Sequence, residues 1–348
     1  MPLFTFNSRG QQAGKFHIVL LLVLGVVFCA VLEGVTKFSF GRVSHIEKRR
    51  ETEYRAAFAI QSAKPRRKTS VLVVGNSLLL HGVDFPELGR TLAPDVELNR
   101  TVFENSMYFD WYYGLRRLFR GGARPDVVAL VFSPGQLISD SFNGDYSVQM
   151  LVDRRDLLRF ASDTGADRNG MSVMALDKAS YFYGTRAEIR NWVLNKMLPD
   201  LPVLTKHFRF SPTLRTDNNV SEIASNRLRL LRELCNRYGA EFVLVVPPAR
   251  EDSGISAIAE AAASQGVPAL IPVRVLPGAD YADSVHLNPG GAAKFTSALA
   301  KSLRATLQMQ SIDASVTTSE RAPPGDFRGI DLGLDKHVLM KIPVTISK

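Results

Sequence analysis

Only two of the 348 residues, Cys29 and Cys235, are cysteine, so the chain has no disulfide framework. Cys29 lies in an apolar N-terminal run, and the two are not expected to bridge. No spacing of Cys or His matches a structural zinc site, and neither a metal nor a cofactor is expected. Acidic residues are outnumbered, 34 against 43 basic, for a formal net charge of +9. Such a balance admits nucleic acid, anionic lipid or acidic polysaccharide as a partner. No helix-turn-helix, finger or aromatic RNA-binding signature is present, which argues against nucleic acid. There is no internal repeat. What remains is 45% hydrophobic and 22% charged, enough apolar material for one large α/β domain with insertions or two smaller ones.

Residues 1–15 form a polar tail. Residues 16–36 follow, with no charge from Ile18 to Leu32, and reach the roughly 20 residues that a bilayer requires. Small residues suited to a cleavage site are poorly supplied, and Phe28 before Cys29 spoils a lipoprotein-type site, so an uncleaved signal anchor is expected. Lys37, Arg42, Lys48, Arg49 and Arg50 follow the span, while only Arg9 and Lys15 precede it. Taken literally, the positive-inside rule places the large domain in the cytoplasm. Residues 37–69 read as a basic stalk and linker. Its helical part, Ser44 to Gln61, offers Tyr54, Phe58 and Ile60 as docking points, and its excess charge suits phospholipid head groups. Pro65 amid Lys64 to Lys68 opposes a continuing helix.

The chain is organised around Val71-Leu72-Val73-Val74-Gly75-Asn76-Ser77. An unalternating β-branched run reads as a parallel strand covered on both faces. Gly75 permits a sharp turn at its end, which puts Ser77 just past the carboxyl end of a strand, where open α/β sheets bind ligands. Ser77 as a helix cap is the competing role. Near the close of the domain stands Asp283-Ser284-Val285-His286-Leu287-Asn288-Pro289-Gly290-Gly291. A carboxylate three residues before a histidine can orient the imidazole and leave its other nitrogen to take a proton. Ser77, His286 and Asp283 are thus candidates for nucleophile, base and orienter.

Gly75-Asn76-Ser77 together with Asp283-x-x-His286-Leu287-Asn288-Pro289-x-Gly291 resembles the first and last blocks of the SGNH (GDSL-like) hydrolase superfamily. Within it the chain looks like membrane-anchored members related to the alginate-type polysaccharide O-acetylation proteins. The resemblance spans about residues 70–303, and Asn76 stands where Asp is commoner. It implies a three-layer α/β/α flavodoxin-like sandwich with a central parallel sheet. It also implies an acyl esterase or O-acetyltransferase acting on an acyl ester or acetylated glycan. Exopolysaccharide assembly proteins are implied as partners, and the resemblance favours an extracytoplasmic (periplasmic) domain on a single-pass inner-membrane anchor. A non-catalytic relative that binds glycan is the alternative.

The middle blocks depart from the family. At Asn105-Ser106-Met107-Tyr108 no glycine is present for the oxyanion hole, which leaves the N–H of Ser106 or Met107 beside that of Ser77. At Ser133-Pro134-Gly135-Gln136, where Gly-x-Asn-Asp is usual, Gln136 offers the nearest amide and Ser133 a further donor. Tyr108 and Trp111, within an aromatic cluster next to Asn105, suit either a sugar platform or a helix core. His81 reads as a partly buried helical residue beside the site.

The domain is expected over residues 70–309, with a helical insertion at about 142–216 acting as a lid or acceptor cap. Strands are expected around Val96, over Pro125 to Phe132, over Glu241 to Val246 and over Val267 to Val273. They are separated by helices such as Ser221 to Tyr238, as in a parallel sheet with crossovers. Residues 310–348 read as a weakly ordered tail, with Val338 to Ile346 as an edge strand.

Overall fold

The N-terminal apolar run lies inside one long helix, α1 (Ser8–Val43). Ser44 interrupts it and caps α2 (His45–Ala59), accepting from the N–H of Glu47 at 3.2 Å. The structure is a computed structural model that describes residues 8–61, 68–198, 220–251 and 254–320. After α2 come β1 (Thr69–Gly75), α3 (Ser77–Gly82), α4 (Phe85–Leu92), β2 (Val96–Val102), α5 (Tyr108–Arg120), β3 (Val127–Val131) and α6 (Pro134–Ile138). The insertion supplies α7 (Asp145–Leu151), α8 (Leu157–Asp163), α9 (Arg168–Ala179) and α10 (Tyr181–Met197). The chain closes with α11 (Val220–Arg237), β4 (Glu241–Val245), α12 (Ile255–Ser264), β5 (Ala269–Leu270) and α13 (Pro289–Glu320). Contacts divide the chain at Thr306, and the described part of the second unit, from Leu307 to Glu320, is helix.

The five strands are all parallel in the order β2-β1-β3-β4-β5, the flavodoxin-like arrangement, with helices on both faces. The pleat sorts their side chains. Leu72, Val74, Val128, Leu130, Phe242 and Leu244 enter the main cluster with α2, α5, α11 and α12. Val71, Val73, Ala129, Val131, Val243 and Val245, also buried, face the other way. That second face belongs to α3, α4 and the start of α13: a side chain at Gly82 would meet Leu287 and Phe295, and the N–H of Asp84 donates to Thr296 at 2.9 Å. Burying each aliphatic side chain contributes about 1.5–3 kcal/mol, so the strands are held from both sides.

The supposed stalk is part of the domain. Tyr54, Ala57 and Ile60 of α2 are buried in the main cluster. Its charged face is not solvated either: Glu53 accepts from Arg100 at 2.8 Å and from the N–H of Val102 at 2.9 Å, while Arg50 bonds Glu104 at 2.9 and 2.6 Å. α2 therefore covers the outer edge of β2, and Arg100 of that strand finds its carboxylate partner there. Arg49 and Arg50 of this stretch are paired with Glu53 and Glu104 within the protein rather than left for head groups.

Three further expectations change. β5 is only Ala269–Leu270, because Pro268 and Pro272 flank it and cannot donate to a ladder. The insertion packs on α5, α1 and its own helices rather than standing as a separate lid. α13 continues as helix to Glu320, into the expected tail. The linker residues 62–67, the end of the insertion from 199 and the expected strand Val338 to Ile346 lie outside the described residues.

Candidate active site

β1 and β3 approach closely where β1 ends. A Cβ on Gly75 would lie 2.9 Å from the carbonyl oxygen of Val131 and 3.1 Å from Cβ of Leu79. Glycine is needed there for space, not for a left-handed turn. Asn76 is fully buried and takes the cap of α3: its Oδ1 accepts from the N–H of Leu78 at 3.0 Å, and its Nδ2 donates to the carbonyl of Ser106 at 3.0 Å. Because Asn76 does the capping, the Ser77 hydroxyl is released from it. Ser77 is half-buried at the first position of α3, and among the described residues no acceptor faces its N–H. First-turn donors lack intrahelical partners, so this N–H is open to a ligand.

The loop before α13 arrives at the same rim. Asn288 fastens it, donating to Ala279 O at 2.6 Å and accepting from Gly291 N at 3.0 Å. Gly291 is forced, since a Cβ there would sit 2.3 Å from Asp280 O. Lys294 holds Asp280 at 2.8 and 2.9 Å, and Arg250, from the loop after β4, donates to Asp283 O at 2.6 Å. Within this frame Asp283 Oδ1 accepts from the N–H groups of Val285 and His286 at 2.9 and 2.8 Å. Its Oδ2 lies 2.8 Å from His286 Nδ1, and His286 Nε2 lies 2.9 Å from Ser77 Oγ. Burial alone would raise the Asp283 carboxyl. The two backbone N–H groups and the imidazole outweigh it and hold the carboxyl well below its ordinary range. Residues 209 positions apart are thus in hydrogen-bond contact, in the geometry of nucleophile, base and orienter.

The remaining candidates separate. Ser106 is fully buried: its hydroxyl donates to Phe103 O at 2.6 Å and receives Trp111 Nε1 at 2.8 Å, and its N–H reaches Phe103 O at 3.3 Å. The Met107 N–H is taken by Asp110 at 2.7 Å. Neither Ser106 nor Met107 has a donor to spare, because this turn spends them on opening α5. The N–H of Ser133 is likewise engaged, by Gln136 Oε1 at 3.0 Å, while the Gln136 amide nitrogen and the Ser133 hydroxyl donate to no acceptor among the described residues. Trp111 is core, with 0% exposure, and has no surface to offer a substrate. Tyr108 is also buried, beneath the Arg227 guanidinium at 4.6 Å, and one side of it lines a cleft of about 360 Å³ with Tyr112, Asp140 and Asp163. Asn105 is exposed and adopts φ 56°, a left-handed turn that asparagine tolerates better than most residues. It fills conformationally the place where a glycine is missing.

Among groups that the sequence did not reveal, Arg250 and Asp110 stand out. Asp110 is buried and binds the N–H groups of Met107 and Asn143 and the hydroxyl of Ser147. Its partners are far enough apart in sequence that only the capping position three residues past Met107 hints at its role. His81 is exposed on α3 with its ring edge-on to His286, centroids 5.2 Å apart. Desolvation, then the neighbouring His286, lowers its pKa. It makes no hydrogen bond to Ser77 or Asp283 among the described residues. Arg186, in the insertion, is bound to Asp145 and Asp177 and so is not left for an acidic ligand. No group of metal-ligating side chains occurs among the described residues.

No family model and no curated protein matches the chain. Among solved structures it is similar to LAE5, an α/β hydrolase enzyme from the metagenome of Lake Arreo, Spain. That match has 13% identity and a TM-score of 0.36, and covers 71% of this chain and 97% of that one. It is similar to TesA at 13% identity and a TM-score of 0.35, over 68% and 98% of the two chains. A catalytic mutant of Axe2, an acetylxylan esterase from Geobacillus stearothermophilus, matches at 11% identity and a TM-score of 0.33, over 69% and 96%. The site therefore stands on its own geometry.

Proposed function

We propose that the chain is a membrane-anchored SGNH-type acyl esterase or O-acetyltransferase. The observation that carries this reading is the pair of contacts at 2.9 and 2.8 Å that link Ser77 to His286 and His286 to Asp283. Ser77 Oγ bonds to the acyl carbon while His286 Nε2 takes its proton, and Asp283 holds the imidazole in the required orientation. Collapse of the tetrahedral intermediate expels the alcohol, which leaves with the proton from His286. Water or a sugar hydroxyl then attacks the acyl-enzyme, and that choice divides esterase from transferase. The Ser77 N–H is one oxyanion donor and the Gln136 amide is the candidate for another.

In this reading the substrate is an O-acylated bacterial exopolysaccharide or envelope glycan. The helix from Lys15 to Val43, apolar enough to cross a bilayer, is a single-pass inner-membrane anchor with the domain on the periplasmic side. Asn105, exposed at the end of β2, is the candidate to meet the glycan. A second reading, a glycan-binding protein without catalysis, draws support from the engaged N–H groups of Ser106 and Met107. Hydrolysis of a small acetyl ester by the full chain, compared with Ser77→Ala, decides between them. Turnover that disappears in the variant is expected. Equal rates in both proteins would remove the catalytic assignment.

A further inference from the structure

α1 does not stop where the uncharged run stops, and its last turns divide by side. Val35 and Phe38 continue the exposed apolar surface that begins at Phe16, whereas Thr36, Phe40 and Ser44 are buried against the domain. Glu33 accepts from Ser180 Oγ at 2.9 Å and from the N–H groups of Tyr181 and Phe182 at 2.7 and 3.1 Å, and so caps α10. The helix is thus bolted to the domain at several points along its last turns, and no flexible tether intervenes.

α2 then runs along the sheet edge in the sense opposite to β2. Arg50 meets Glu104 beyond the carboxyl end of β2, Glu53 meets the N–H of Val102, and Ile60 O accepts from Arg124 N before β3 begins. The joint at Ser44 consequently lies at the carboxyl end of the strands, the end at which Ser77 and His286 meet. Arg42, His45, Ile46 and Lys48 are exposed around it, and Lys48 makes no ion pair with any described residue. Apolar and cationic side chains together suit a head-group layer. Val285, beside His286, is also exposed. From Glu33, the deepest docking point of α1 on the domain, to Ser44 is about 17 Å of helix. One helix diameter of about 10 Å and a strand spacing of about 4.8 Å separate α2 from β1. Ser77 therefore comes within about 32 Å of the lipid surface.

We infer that Ser77 acts on an acyl ester carried by a lipid-anchored molecule at the bilayer surface, rather than on one dissolved in bulk water. This rests on the acyl-transfer and membrane-anchor readings above. The Ser77 Oγ–acyl bond forms as the ester C–O bond breaks, and the lipid-anchored alcohol departs with the proton that His286 held.

The test uses full-length protein in vesicles of phosphatidylethanolamine and phosphatidylglycerol, with release of acetate as the readout. One probe is an O-acetylated hexadecyl glucoside, which enters the bilayer, and the other is the same O-acetylated sugar as its methyl glucoside, which stays in solution. A Gly-Ser spacer of about twenty residues between Val43 and Ser44, combined with Glu33→Ala to release α10, loosens the domain from its mount. The expected result is a loss of about tenfold or more on the hexadecyl probe with the methyl probe unchanged. Glu33→Ala, which removes the α10 cap, should move the same ratio in the same direction, and carries the comparison if the spacer variant does not fold. Unchanged hexadecyl turnover in the folded variants overturns the inference. Acetate released from neither probe by the wild type, or released equally by Ser77→Ala, overturns the acyl-transfer reading and this inference with it.

Discussion

β1 and β2 are both followed by an Asn-Ser pair, and the two pairs are turned inside out relative to one another. At Asn76-Ser77 the asparagine is buried and caps α3, and the serine hydroxyl faces His286. At Asn105-Ser106 the asparagine is exposed with φ 56°, and the serine is buried between Phe103 O and Trp111 Nε1. A single hydrogen bond, Asn76 Nδ2 to Ser106 O at 3.0 Å, ties the turns together. The difference teaches that a hydroxyl is left to face His286 where the backbone does not need it. Asn76 meets the capping demand at the first turn, whereas at the second the serine helps to build the helix start.

The comparison can be broken or sharpened by substitution. Ser77→Ala should lower acyl turnover by a factor on the order of 10⁴ or more with the melting temperature unchanged, as steady-state kinetics and calorimetry would show. Asn76→Ala removes the cap and leaves the Ser106 carbonyl short of a donor. A loss of about 1–2 kcal/mol in urea titration is expected, with a fall in kcat as Ser77 drifts from His286. Ser106→Ala orphans the Trp111 N–H for about 1–3 kcal/mol of stability, yet should leave kcat within a few-fold. If kcat falls as far as in Asn76→Ala, the distinction between the turns fails. Asn105→Ala should cost about 1 kcal/mol and Asn105→Gly almost nothing, because only the left-handed backbone is at stake.

Acidity separates the two sites as well. Burial raises the Asp110 carboxyl to about 6, against the hydrogen bonds from Ser147, Met107 and Asn143 that pull it down. Between about 4 and 6 the folded chain holds a proton that an unfolded carboxyl has lost, so this group's contribution to stability declines as pH rises through that window. Asp283 has the opposite sign. Its lowered pKa stabilises the fold above the unfolded value of about 3.9, and that stabilisation is lost as pH falls further. Asp110→Asn should flatten the stability curve between about pH 4 and 6, and Asp283→Asn should flatten it only below. Chemical denaturation across pH checks both.

The parallel strands were legible because Val71 to Val74 and Val127 to Val131 are apolar throughout, as burial on two faces demands. The meeting of Ser77, His286 and Asp283 was legible because a Gly-x-Ser after a parallel strand and an Asp-x-x-His before a helix both fall at the carboxyl end of the sheet. β2 was read only in pieces because Asn99 and Arg100 break its pattern, and α2 passed for a solvated stalk because Glu47, Arg50 and Glu53 are charged. Their partners lie tens of residues away, at Tyr146, Glu104 and Arg100. Local sequence carries no trace of such pairings. Nor does it reveal that Asn105 would stand in for a glycine, or that Arg250 would reach the carbonyl of Asp283.

The covering of β2 by α2 has a consequence for neighbouring copies. An uncovered sheet margin invites strand-to-strand recruitment between copies. Here Glu53 occupies the Val102 N–H on one margin. The opposite margin is the two-residue β5, flanked by Pro268 and Pro272. Copies crowded side by side find little backbone on which to zip together.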